Sequence, residues 1–503
     1  MEESKESIKL LYCKVLPHQN FSTNITLQID NSVKIKTILN LENYIYDEKT
    51  DCANGKAIIS GRIGTKVVYI DQDNITNTLT DNQPFTETVV DQSITAESFL
   101  CITSSNATNT IISNDGSLKL NCETSLGLTV YLNLGLDTTA NSFENMITKK
   151  TELKTCAIQS PANSNFDYTS TIETKEQITK VLTQNSYLTI ENTTPNNGFV
   201  TIEGKMLTCA LVEINENEET KIRELSDCFN IKTDVEMPEC NESSMVDLCF
   251  FVNRDKERIN TEQEADNTTL VITNNIGVKG VVLNQIAVDL VDDMYSLDND
   301  LELTYSSRET IKDFEHFKFS EKIYGENSIT SSEPAIEEVV STCAINSELT
   351  NYYLKDQNLY VEGVLTCNII YIDENKEYNE KTSEIPFVIN SKFNPASIDF
   401  TQLSCSVTNC KTKAKRGTIL ETECELEFAC TNIQKETVNL VSSITVGKPV
   451  DNSQYDYQIF LAKPNETTWQ LSKRIKISPE QLASMNKDLP AVMQGGEKII
   501  IKR

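Results

Sequence analysis

The feature that most constrains this chain is a segment that recurs. Asn358 to Phe387 reads NLYVEGVLTCNIIYIDENKEYNEKTSEIPF. Leu359 to Ile372 is rich in Val, Ile, Leu and Tyr, and polar Asp373-Glu374-Asn375-Lys376 interrupts it. Lys381 to Asn390 then resumes an extended pattern around Pro386-Phe387, so the segment reads as a β-hairpin. Val361-Glu362-Gly363 has counterparts in Ile59-Ser60-Gly61 and Ile202-Glu203-Gly204. An apolar run follows each glycine: Val67 to Asp71, Ala210 to Asn215, Ile369 to Asp373. Phe85, Phe229 and Phe387 come next, 24, 25 and 24 residues after their glycines. Ile38, Val181 and Val340 each precede their glycine by 23 residues, and Cys13 precedes Cys156 by 143, the same spacing as Gly61 to Gly204. Periods of 143 and 159 residues are too long for stacked solenoid units and fit whole domains. Gly61, Gly204 and Gly363 are therefore expected to be structural, at a bulge or a close backbone approach, with Pro386-Phe387 packing an edge.

The expected fold class is mainly β: three tandem β-rich repeat domains over 1–140, 141–284 and 285–447, a linker over 448–454, and a small βααβ module over 455–503. The length of 503 residues suits three or four domains, each able to bury its own core. Abundant Asn, Thr and Ser between Val/Ile/Thr-rich runs favours strands. In the first unit Leu118–Thr124 and Leu126–Leu132 read as two late strands. The second carries a polar insertion near 236–268. The third opens on Ala287 to Ser296. Residues 172–183 and 334–345 fit either a short helix or a strand.

A net charge of −29 argues against nucleic acid, which needs clustered Lys and Arg, and against an anionic membrane surface. No apolar run reaches the roughly 18–20 residues of a membrane span. The acidic start MEESKESIKLLYCKVL lacks a secretory pattern, so a cytosolic chain is expected. The 15 cysteines are then expected to be free and mostly buried. Cys405, Cys410, Cys424 and Cys430 are the densest group. Their spacings are wider than zinc sites prefer, so core packing is the reading, with crosslinking in an assembly as the alternative. Only His18 and His316 are available for a His-dependent site, both in polar segments, and there is no phosphate-binding Gly-rich loop. No catalytic residue, metal or cofactor is expected.

From Tyr455 the pattern changes. Tyr457 to Leu461 is a strand. Thr467 and Gln470 form a capping box at a helix start, and Leu471 and Ile475 share a helix face. Ser478-Pro479-Glu480-Gln481 starts a second helix with Leu482 and Met485 on its apolar side and Asn486 at its end. Gly495-Gly496 turns into the strand Lys498 to Ile501. This module carries +3 against −32 for the rest of the chain, a mildly basic tip on an acidic body. Asn465-Glu466-Thr467-Thr468-Trp469-Gln470-Leu471-Ser472, followed by Leu482, Asn486, Gly496, Ile499 and Ile501, resembles a LysM module. Asn465-Glu466 stands where that family has Gly-Asp, in a loop that lines its glycan groove. Trp469 is expected in the module core.

Three β-rich repeats followed by one LysM module resemble the SPOCS-domain spore coat assembly proteins of spore-forming Firmicutes. Asp293-Met294-Tyr295-Ser296 looks like that domain's Asp-x-Tyr-Ser signature, and Gly363, Tyr371-Ile372-Asp373 and Ile385-Pro386-Phe387 follow in order. The resemblance implies a non-enzymatic scaffold in the mother-cell cytosol at the forespore surface. Its LysM module would dock a coat morphogenetic protein, the ATPase of the basement layer. The residues implied in partner or glycan binding are Lys463, Asn465, Glu466, Thr467, Asn486, Lys487 and Gly495. The alternative is a cell-wall protein whose module binds peptidoglycan.

Overall fold

A computed structural model describes residues 5–29, 33–113, 117–139, 145–216, 219–263, 267–330, 332–393, 398–450, 457–487 and 489–502. Most of the expected linker lies outside these residues. The chain is mainly β. Its first six strands are β1 (Lys5–Gln28), β2 (Ile35–Ala53), β3 (Lys56–Asp71), β4 (Thr76–Val90), β5 (Phe99–Ser113) and β6 (Ser117–Thr139). They make two antiparallel sheets, β1-β6-β5 and β2-β3-β4. Next come β7 (Met146–Thr174), β8 (Gln177–Asn196), β9 (Phe199–Glu216), β10 (Glu219–Glu236), β11 (Ser244–Val252), β12 (Arg258–Gln263) and β13 (Thr268–Ser296). Here β8-β9-β10 is one sheet, and β13 pairs with β7 on one edge and with β11 and β12 on the other. Then follow β14 (Asn299–Ser328), β15 (Ile336–Lys355), β16 (Asn358–Asp373), β17 (Tyr378–Ser391), β18 (Phe400–Lys415) and β19 (Ile419–Pro449). Their sheets are β14-β19-β18 and β15-β16-β17. The segments 172–183 and 334–345 are extended wherever they are assigned.

The Asn358–Phe387 hairpin is β16 with β17. Strand β16 alternates buried and half-buried residues from Leu359 to Cys367, as a strand with one covered face must. From Cys367 to Tyr371 both faces are buried, because other parts of the chain cover the second one. Gly363 lies opposite Leu349, where β15 has a bulge. A Cβ there would come within 2.4 Å of the Glu348 carbonyl oxygen and 2.5 Å of the Phe387 ring. Gly204 would meet the Thr189 carbonyl oxygen at 2.2 Å beside the Ile190 bulge, and Gly61 the Phe85 ring at 2.8 Å. The Asp at the end of the apolar run builds the turn. Asp71 Oδ1 accepts from the amides of Asp73 and Ile75, and Oδ2 from Asn77 Nδ2. Asp373 does the same with Asn375, Glu377 and Asn379.

Each three-stranded hairpin sheet packs face to face on its long-stranded partner. Ile59, Ile63 and Phe85 meet Leu118, Leu120 and Leu128; Val200, Ile202 and Val235 meet Val246, Val278 and Val282; Val361, Leu365 and Phe387 meet Cys424, Leu426 and Phe428. The three sandwiches close a ring, since β4 touches β8, β10 touches β15 and β17 touches β2. Leu39, Val68, Leu182, Leu211, Ile222 and Ile370 share its centre. Asn368 Nδ2 donates across it to the Leu39 carbonyl at 2.7 Å. On the long-strand side β1, β7 and β14 touch pairwise, and Thr155 Oγ1 binds the Ile311 carbonyl at 2.8 Å.

Past the sandwiches the long strands continue as three paired ribbons, a stalk cored by Leu10, Leu153, Leu290 and Leu440 and then Val291, Met294 and Val441. Two expectations change here. The boundary expected between 284 and 285 falls inside β13: Ala287 to Ser296 pairs with Met146 to Lys154 and completes the second unit's ribbon. Leu118–Thr124 and Leu126–Leu132 are halves of one strand, β6, held on β1 through a bulge at Leu16. A third concerns the cysteines. Cys410 and Cys424, directly opposed in β18 and β19, are joined by a disulfide, with the Cys367 sulfur at 3.6 and 3.9 Å from theirs. Burial pushes the Cys367 thiol up to about 12, which keeps it protonated inside an apolar core.

Candidate functional site

The C-terminal module consists of β20 (Tyr457–Leu461), α1 (Thr468–Ile475), α2 (Pro479–Met485) and β21 (Lys498–Lys502). Thr467 caps α1, its side chain accepting from the Gln470 amide while Gln470 bonds back to the Thr467 amide. Ser478 caps α2 with Pro479 in its first turn. Lys476 closes α1 at φ 57°, a left-handed residue that turns the chain sharply into the second helix. Ala462, Leu471, Ile475, Ile477, Leu482, Met493, Ile499 and Ile501 form the core. Trp469 is not among them.

The two loops expected to carry binding residues are brought together. The Asn465 amide donates to the Met493 carbonyl at 2.9 Å and the Met493 amide to the Glu466 carbonyl at 2.8 Å, while Thr468 N reaches Ala491 O at 3.1 Å. The Pro464 ring abuts Gly495. Lys463, Asn465 and Gly495 are exposed on this joined rim, and Lys487 is exposed just past α2. Glu466 is only 7% exposed. Its carboxylate takes Arg474 Nε at 2.6 Å and Nη2 at 2.9 Å, and the Lys463 amide at 2.9 Å. The Arg474 guanidinium above all holds this carboxyl below the usual range. Asn486 bonds Ile500 through both amide atoms, at 2.7 and 2.8 Å, and fixes α2 to β21. Thr467 is spent on its cap. Of the expected binding residues, Glu466, Thr467 and Asn486 thus hold the module together, and Lys463, Asn465, Lys487 and Gly495 are presented.

Trp469 has a different place from the one expected. It lies at the joint between module and stalk, its ring edge-on to Tyr295 with centroids 5.2 Å apart. Its Nε1–H donates to Asp293 Oδ2 at 2.7 Å. Lys473 bonds the other oxygen of Asp293. Tyr295, 1% exposed, donates from its hydroxyl to the Ile477 carbonyl at 2.6 Å, and burial pushes its phenol up to about 12. Lys476 Nζ reaches the Asn299 carbonyl and Asp300 Oδ1, both at 3.3 Å. Asp293 and Tyr295, noted in the sequence as a signature, therefore form the seat on which the module sits. Burial opposes the charge on Asp293, but the bonds from Lys473 and Trp469 outweigh it and hold the carboxyl below its ordinary range.

A second polar feature has no sequence signal. At the ring centre Asn40, Thr183, Asn185, Glu224, Ser341 and Asn368 line a partly open space of about 20 Å³, enough for one water. Asn40 Nδ2 and Asn368 Oδ1 are buried without a hydrogen-bond partner among the described residues. These positions converge only through packing of the three sandwiches. His18 and His316 are exposed and bond Ser125 and Thr431, well apart from this space. No family model, curated protein or solved structure matches this chain.

Proposed function

We propose that the chain is a non-enzymatic scaffold of spore-envelope assembly. In this reading three SPOCS-like β units make the body, and a LysM-type module docks a coat protein, the basement-layer ATPase, at the forespore surface in the mother-cell cytosol. The observation that carries the choice of protein over glycan is how the module uses its polar groups. Glu466 is committed to Arg474 and Trp469 to Asp293 and Tyr295, so neither is open to a sugar. What the module offers is exposed Lys463 beside a backbone-paired pair of loops and exposed Lys487 past α2, basic groups suited to an acidic protein surface. Among the described residues no helix is long and apolar enough to cross a membrane.

Co-precipitation with the coat ATPase from sporulating cells tests this. The full chain should retain it, and a chain ending at Gln454 should lose it. Lys463→Glu with Lys487→Glu should weaken capture while leaving the melting temperature unchanged. If the truncated chain keeps every partner, docking through the module is wrong. Pelleting of the full chain with peptidoglycan would support the wall reading instead.

A further inference from the structure

Two sheet faces of this chain are complementary. The first is the outer face of β20 and β21. The helices cover the inner face, where Ile499 and Ile501 are buried. The outer face carries Tyr457, Ile459 and Leu461 directly opposite Lys502, Ile500 and Lys498. Tyr457, Ile459 and Leu461 are 64, 68 and 60% exposed and Ile500 48%. Four large apolar side chains in three rungs form a contiguous patch, and contiguous patches mark contact surfaces where scattered ones do not. Among the described residues its only charges are the two lysines.

The second face is the outer side of β15-β16-β17. Tyr360, Glu362 and Val364 on β16 lie opposite Asn390, Val388 and Pro386 on β17, with Glu384 opposite Thr366 on the next rung. Tyr353 and Glu348 continue the face on β15. Tyr353 stacks on Tyr360 at 5.4 Å, and Val388 is 65% exposed. Among the described residues Glu348, Glu362 and Glu384 pair with no Lys or Arg. The corresponding faces of the other two hairpin sheets differ. On the second, Lys232 pairs with Glu203 at 2.7 Å and Lys205 with Glu191 at 2.6 Å. The first has Lys56 and Arg62 opposite Val90 and Pro84. The first face also exposes Ile58, Val90 and the carboxylate of Asp51, but Lys49, Lys56 and Arg62 outnumber that carboxylate. On the third, Glu348, Glu362 and Glu384 outnumber Lys355 beside exposed Val388. Within one chain the two faces are kept apart, because the module sits at the stalk tip on Asp293 and Tyr295, while β15 packs on β18 in the ring, with Ser347 Oγ on the Cys405 carbonyl at 3.0 Å.

We propose that the occupant of the module's outer face is β15-β16-β17 of a second copy. Lys498 and Lys502 then face the row of Glu362 and Glu384, and the apolar rungs lie on Val364, Pro386 and Val388. The two surfaces are different, so the contact is heterologous and does not close at two copies. It is small: two strands of five residues cover on the order of 10 by 17 Å, well under the roughly 800 Å² per partner of a standard interface. Each contact is weak, and assembly grows where copies are concentrated on a common surface. None of this depends on the module docking another protein.

Sedimentation velocity on the purified full chain tests the proposal, from about 1 to about 100 μM and at about 50 and about 500 mM NaCl. The weight-average sedimentation coefficient should rise with concentration past that of a dimer and fall back in high salt. Ile459→Asp and Val388→Asp, both at exposed positions, should each be monomeric with an unchanged circular dichroism spectrum. Mixed, they should form a one-to-one dimer that grows no further, since each supplies the face the other lacks. Ile459→Ser and Val388→Ser replace them if either Asp variant misfolds. A wild-type chain that stays monomeric at the highest concentration overturns the proposal. So does association that survives in either variant, or a mixture that stays monomeric.

Discussion

At the scale of single residues, the joint between module and stalk offers a direct readout, because Trp469 is the sole tryptophan. Trp469→Ala should free the module from the stalk yet leave α1 and α2 folded, visible as helical amide shifts by NMR. Asp293→Ala removes the acceptor of Trp469, Lys473, the Tyr305 hydroxyl and the Met294 amide, a loss of about 1.5–3 kcal/mol per bond to a charged group, and the indole emission should shift to the red. Acid should do the same. A carboxyl whose folded pKa is lowered contributes stability that is complete above the unfolded value, near 3.9, and is lost as pH falls through the folded value. The red shift should therefore begin below about pH 4 in the wild type and be largely complete at neutral pH in Asp293→Ala. Glu257 has the opposite sign. Burial pushes it up to about 7, so its contribution is complete below the ordinary Glu value and is lost as pH rises through about 7. Urea melts at about pH 5 and about pH 8 should differ less for Glu257→Gln than for the wild type. Gly363→Ala places a methyl against the Glu348 carbonyl 2.4 Å away, and a loss of about 1–3 kcal/mol is expected in the same melts.

At the scale of elements, signals carried by one segment are legible in the sequence, and signals shared between segments are not. The Gly363 hairpin, the Asp373 turn and both helix caps of the module stand in order because each depends on neighbours a few residues away. The extent of a strand depends on what pairs with it. Nothing local tells Ala287 to Ser296 that β7 rather than β19 is its ladder partner, and nothing at Ser125 announces that β6 runs on. The fate of Glu466 and Trp469 was likewise beyond spacing: the first turns back on Arg474, eight residues later, and the second reaches across 176 residues to Asp293. The clamp at Glu466 can be checked alone. Glu466→Gln gives up charge-assisted bonds worth about 1.5–3 kcal/mol, and amide exchange at Asn465 and Met493 should accelerate while the amides of α2 keep their protection.

At the scale of the molecule, the ring ties the three sandwiches to one another's stability. Leu39 is fully buried where all three meet. Leu39→Ala should cost about 2–5 kcal/mol, and hydrogen exchange should rise in all three hairpin sheets rather than in β2-β3-β4 alone. The ring is also built from one chain, and its three outward hairpin faces differ: one basic, one ion-paired within itself, one acidic and apolar. Three identical subunits would copy every surface substitution three times, so a face that attracts a neighbour would do so in three directions and give a branching net. A single chain with one acidic face and one module has a valence of two. Copies joined through those sites can extend only as an unbranched line, and its direction is set by the stalk.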